Sequence, residues 1–193
     1  YFHYKEITNQ SGTLFNNWEN ILMHLPYCFQ ARRTFVEIYA KENNLTDDIK
    51  TISKSEEYLE FVNKTIFPSE IASGQIGNMY TGSIFLGLLS TLCYHFQNET
   101  EIQDKKFGFI AYGSGSKSKV FEAQVEANWK SAIEKVNLFE TLDNSTEIDF
   151  GTYISLHKKE RNHSVLQPKN EFVLDFIEKE NPVLVGARYY KFV

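Results

Sequence analysis

The sequence predicts a layered α/β domain, and three observations carry that reading. Segments with helical spacing and segments with strand character follow one another along the 193 residues. Residues 80–96 are apolar nearly all round and need cover on every side. Apolar residues make up 42% of the chain, enough for a core that supplies such cover. The length suits one ordinary domain or one half of a larger protein.

The elements follow in order. The opening "YFHYKEITNQSG" has no start-of-domain character and Tyr1 is not an initiator, so residues are expected to precede it. Pro26 favours a first helical turn, and Tyr27, Ala31, Phe35, Ile38 and Tyr39 recur at helical spacing. A helix is expected over about 26–41, with His24 just outside its N-terminus. "NNLTDD" is a polar loop. Ser53 with Glu56 three residues on reads as a capping box for a helix ending near residue 65, short of Pro68. "PSEIASGQIGNM" reads as a loop into the apolar helix. "KKFGFIAYGSGSKS" reads as a central strand ending in a Gly-Ser-Gly turn, and "KVFEAQVEA" alternates as a second strand. Helices are expected near 129–136 and 148–158. "EFVLDFIEKENPVLVGARYYKFV" reads as two strands around Asn181-Pro182, with Gly186 as a candidate bulge.

Composition narrows the function. A formal net charge of -5 argues against nucleic acid as the main partner, while leaving room for a local basic patch that meets a phosphate. The two cysteines, Cys28 and Cys93, make no disulfide framework, and Cys93 reads as a buried thiol. No apolar run reaches about twenty residues and no signal peptide opens the chain, so a cytoplasmic protein without membrane contact is expected.

Three segments place polar side chains at element boundaries: "MHLPYC" (23–28), "GNMYTGS" (77–83) and "YGSGS" (112–116). His24 precedes the expected helix, whose positive end disfavours imidazolium. A neutral imidazole can still donate to a developing oxyanion, although a loop histidine bonded to the backbone has the same signature. Asn78 could donate its amide to a carbonyl or cap a turn. Gly113-Ser114-Gly115 after a strand could bring backbone N–H groups to a ligand, a weak signal alone. His3, His95, His157 and His163 lack metal-ligand spacing, and no metal site is expected.

In combination, the three segments resemble the 3-hydroxy-3-methylglutaryl-CoA synthase family of the thiolase superfamily. The shared order is "HLPYC", then "IGNMYTGSIFLGLLSTL", then "FIAYGSGSKSKVFEAQV", closing with "ENPVLVGARYYKFV", from about Trp18 to the end. The resemblance implies the C-terminal half of a thiolase-like layered fold, a mixed sheet packed with helices. It implies condensation of acetyl-CoA with acetoacetyl-CoA in the mevalonate route to isoprenoids, with CoA thioesters as substrates and no further cofactor. It assigns His24 to polarising the acceptor ketone and moving a proton. Asn78 would bond the acyl thioester region, Tyr80 would line the pantetheine or acyl pocket, and Ser114 with Gly113 would lie near the acyl group.

Two departures matter. The family's cysteine nucleophile and glutamate base lie in the N-terminal half, which has no counterpart among these residues; neither Cys28 nor Cys93 matches the nucleophile's context. The chain alone is therefore expected to be inactive. Many members also carry lysine after the residue matching Cys28, where Phe29 stands here; Arg32 and Arg33, one turn on, could meet CoA phosphates instead. Phe29 also keeps open a related enzyme acting on carrier-protein acyl groups, and a non-catalytic subunit is a third reading. The half is expected to expose an apolar patch that pairs with the N-terminal half or forms a homodimer.

Overall fold

Helix α1 (Phe2–Ile7) and a 3-10 turn (Leu14–Asn17) lead into a four-residue strand, β1 (Asn20–Met23), on which the layering depends. All four β1 residues are buried. Successive side chains of a strand point to opposite faces. Ile21 and Met23 accordingly join one apolar cluster, with Phe15, Phe35, Tyr58 and Val62, while Leu22 joins the other, with Ala72, Ile84, Phe107 and Phe109. Each fully buried side chain of this size contributes about 1.5–3 kcal/mol. The computed structural model describes residues 1–113, 116–161 and 163–193.

The chain continues through α2 (Gln30–Glu42), α3 (Ile49–Ile52), α4 (Glu56–Thr65), α5 (Phe67–Ile76), a 3-10 turn (Tyr80–Gly82) and α6 (Ser83–Gln97) to β2 (Lys106–Gly113) and β3 (Lys117–Gln124). The sheet order is β1-β2-β3, with β1 parallel to β2 and β2 antiparallel to β3. The mixed sheet carries α2 and α4 on one face and α5 and α6 on the other. Short helices α7 (Trp129–Ile133) and α8 (Leu138–Asp143) close the second face. Gly108 of β2 is required by close approach: a Cβ there would lie 2.1 Å from the Trp18 ring.

Residues 1–145 form one compact unit and residues 146–193 a second. The second holds α9 (Phe150–His157), capped by Asp149, and an antiparallel hairpin of β4 (Phe172–Ile177) and β5 (Arg188–Phe192). Its irregular register falls between Leu174 and Phe176, so the bulge is not at Gly186; Gly186, at φ +91°, sits in the connection instead.

Several local expectations are corrected. α2 starts at Gln30 rather than near Pro26, because residues 26–29 form turns. Ser55, not Ser53, caps α4, its Oγ accepting the Tyr58 N–H at 3.2 Å. Ser53 ends the extra turn α3, which Asp48 caps. Residues 67–76 are a helix and not a loop: Pro68 stands in its first turn, where a missing N–H costs nothing. Small polar side chains let α5 meet α6 closely, with Ser90 Oγ donating to the Pro68 carbonyl at 2.7 Å and Gly87 lying against Ser69. α6 is apolar but not covered all round; Phe85 is 69% exposed. No helix among the described residues is long and apolar enough to cross a membrane.

Candidate functional site

Parallel pairing puts the carboxyl ends of β1 and β2 on the same edge of the sheet, where open α/β folds gather functional groups. His24 is the first residue after β1, and its N–H donates to the Ile110 carbonyl of β2 at 3.1 Å. The Tyr112 ring, near the end of β2, has its centroid 6.1 Å from that of His24. Gly113 ends β2 at this edge. Ser114, the neighbouring candidate, lies outside the described residues.

The alternation of β1 continues into His24. Asn20 bonds His95 of α6, Leu22 packs in the α6 cluster, and His24 bonds Ser83, the first residue of α6. Ser83 is wholly buried; its Oγ accepts the Leu25 N–H at 3.0 Å and lies 3.0 Å from His24 Nδ1. His24 therefore sits at a strand end, with four turn residues and Leu25 between it and α2. Helix α2 begins six residues after His24 rather than directly behind it, which corrects the helix-start expectation.

The segment before Ser83 has a defined backbone. Gly77 takes φ +85° and ψ -152°, a region essentially closed to other residues. Asn78 Oδ1 accepts the Tyr80 N–H at 2.7 Å in an Asx-type turn. That bond uses the carbonyl oxygen and leaves the amide N–H groups to donate. Tyr80 stands at φ +50°, uncommon for a large side chain, with its residue 78% exposed. Asn78, Tyr80 and the turn Tyr80–Gly82 thus join His24 through Ser83.

The two arginines are engaged differently. Arg32 pairs with the buried Glu70 carboxylate through Nε, at 3.0 Å, and Nη2, with its guanidinium 4.8 Å from the Phe29 ring centroid. Burial raises the Glu70 carboxyl above its usual range while Arg32 opposes the shift. Arg33 is exposed, 5.6 Å over the Tyr27 ring, and contacts the Tyr27 hydroxyl at 3.4 Å. Arg33 is therefore the more available cation. Cys28 is half-buried and Cys93 buried; burial raises the Cys93 thiol, which disfavours a thiolate. A concavity of about 490 Å³ lined by Tyr39, Leu45, Thr51 and Ile52 lies away from these groups. Among the described residues no three His, Cys, Asp or Glu side chains group as metal ligands.

Residues 40–172 match the family model described as hydroxymethylglutaryl-coenzyme A synthase C terminal. The chain belongs to that family. The match includes Asn78, Tyr80 and Gly113 and begins after His24, Arg32 and Arg33. Among curated relatives, hydroxymethylglutaryl-CoA synthase of Haloferax volcanii is 29% identical over 133 residues, covering 66% of this chain and 29% of that protein. The Enterococcus faecalis synthase is 28% identical over 149 residues, covering 77% and 35%. The chain thus spans about a third of the length of these relatives. The solved structure of MvaS in complex with 3-hydroxy-3-methylglutaryl coenzyme A matches 98% of this chain and 46% of its own at a TM-score of 0.72 and 18% identity. That likeness establishes the thiolase-like α/β fold.

Sequence reasoning missed Ser83 as a site residue. Its signal was available: a lone polar side chain opening an apolar helix directly behind "GNMYTG".

Proposed function

We propose that this chain is the acceptor-binding part of a hydroxymethylglutaryl-CoA synthase that condenses acetyl-CoA with acetoacetyl-CoA in the mevalonate route. The observation that carries the reading is the joining of His24 to the "GNMYTG" loop through Ser83, in a chain of this family. His24 Nε2 polarises the acceptor ketone and delivers a proton as its oxygen becomes an alkoxide. The Asn78 amide donates to the thioester carbonyl. Tyr80 lines the acyl or pantetheine path, Gly113 and Ser114 border the acyl group, and Arg33, less engaged than the Glu70-paired Arg32, faces the CoA phosphates. The cysteine that carries the acetyl group and the glutamate that removes its methyl proton come from a preceding half of the same protein. Carbon–carbon bond formation follows attack of that carbanion on the ketone carbon, and water releases the product.

The exposed apolar side chains near the site, Met79, Tyr80, Phe85 and Tyr112, support pairing with the preceding half and a homodimer of the whole. The test is condensation by the complete protein carrying His24→Ala or Asn78→Ala. Each is expected to lower kcat, by about a hundredfold or more for His24 and about a hundredfold for Asn78. Wild-type rates in both variants would overturn the site.

A further inference from the structure

Ser83 uses one oxygen for two partners, and which of them donates decides a proton's position. Oγ accepts the Leu25 N–H at 3.0 Å, and His24 Nδ1 lies 3.0 Å from the same atom. A hydroxyl has one proton to give and two lone pairs. Ser83 is wholly buried, so that proton needs a partner inside the protein. The Nδ1 lone pair is that partner. In the opposite arrangement Nδ1–H and the Leu25 N–H would both donate to Oγ, and the hydroxyl proton would need another buried acceptor. A neutral ring whose Nδ1 accepts carries its proton on Nε2.

We propose that Ser83 is a positioning residue that holds His24 in its Nε2–H tautomer and aims that N–H at the acceptor ketone. The proposal rests on the reading of His24 given above and adds what makes the ring a donor on its outward side. The backbone supports it: His24 N–H is held by Ile110 and Leu25 N–H by Ser83, so the main chain that carries the ring is fixed on both sides of the side chain. Because Ser83 opens α6 directly after Tyr80–Gly82, the "GNMYTG" loop and the tautomer share one anchor.

The experiment is nitrogen-15 NMR of the histidine ring nitrogens in the complete protein, at a pH where the ring is neutral. His24→Gln supplies the assignment. The expected spectrum shows His24 protonated at Nε2. Ser83→Ala is expected to give mixed tautomers and a kcat lowered about tenfold, with KM for acetyl-CoA unchanged. Ser83→Thr, which retains the hydroxyl, is expected to restore both. A wild-type ring protonated at Nδ1 overturns the proposal, as does a Ser83→Ala protein with unchanged tautomer or unchanged kcat. The wild-type spectrum decides the tautomer even if Ser83→Ala does not fold. Full activity in His24→Ala would sink the reading of His24 alone, since the spectrum is read without turnover.

Discussion

Strand β1 and helix α6 are tied together at both ends by a histidine, and the two ties differ in what they leave over. At one end His95 of α6 donates from Nε2 to Asn20 Oδ1 at 2.7 Å. At the other His24, just past β1, meets Ser83 of α6 through Nδ1 at 3.0 Å. His95 and Asn20 are buried, at 5% and 1% exposure, and the Asn20 amide goes on to the Thr65 and Lys64 carbonyls. His24 is half-buried, and its Nε2 has no hydrogen-bond partner among the described residues. One ring spends its N–H on the fold. The other is held by the fold on its inner nitrogen and presents the outer one. The two rings differ in which nitrogen the fold uses, Nε2 in His95 and Nδ1 in His24, a difference that sequence context does not announce.

The largest expected effect separates the two rings by activity. In the complete protein, His24→Ala should lower the kcat of the folded protein about a hundredfold or more. His95→Ala should instead cost about 1–3 kcal/mol of stability by leaving Asn20 Oδ1 buried and unpaired. Its folded fraction should keep near-normal turnover. Equal losses of activity in both variants would erase the distinction. A double-mutant cycle of His95→Ala and Asn20→Ala sharpens it: the pair should show a coupling of about 0.5–3 kcal/mol, whereas His24→Ala with Asn20→Ala should be additive.

The smallest effect is a pH dependence. Burial lowers the His95 ring below its ordinary value of 6.5, with Glu19 opposing the shift. The unfolded chain then takes up a proton before the folded one as pH falls, so stability decreases as pH drops below about 6.5. Urea unfolding of wild type and His95→Ala across that range checks it. The His95→Ala curve should be flatter there, and parallel curves would remove His95 as the source.

The legible parts were those with long, single-period patterns. The apolar helix α6, strands β2 and β3 and the final hairpin each span enough residues for their period to show. β1 was missed because four residues, "NILM", buried on both faces and running into His24, give no alternation of apolar and polar positions. Without β1, His24 reads as the residue before a helix, whereas it directly follows a strand and α2 begins only at Gln30. α5 is masked in the sequence because Pro68, Ser69, Ser73 and Gly74 resemble breakers, yet Pro belongs in a first turn and buried serines suit a close helix–helix contact. The site residues came from motif order; their joining through Ser83 is a tertiary fact, since residues 24 and 83 are distant in sequence. Arg32 shows the same limit: its availability depends on Glu70, 38 positions away, which no local pattern announces.

The most direct test of the central claim is a crystal structure of the complete protein with acetoacetyl-CoA bound. The account predicts the ketone oxygen within hydrogen-bond distance of His24 Nε2, roughly 2.6–3.2 Å, with Nδ1 still on Ser83. An acceptor whose ketone lies elsewhere, or a His24 ring turned so that Nε2 bonds a protein carbonyl, would contradict it.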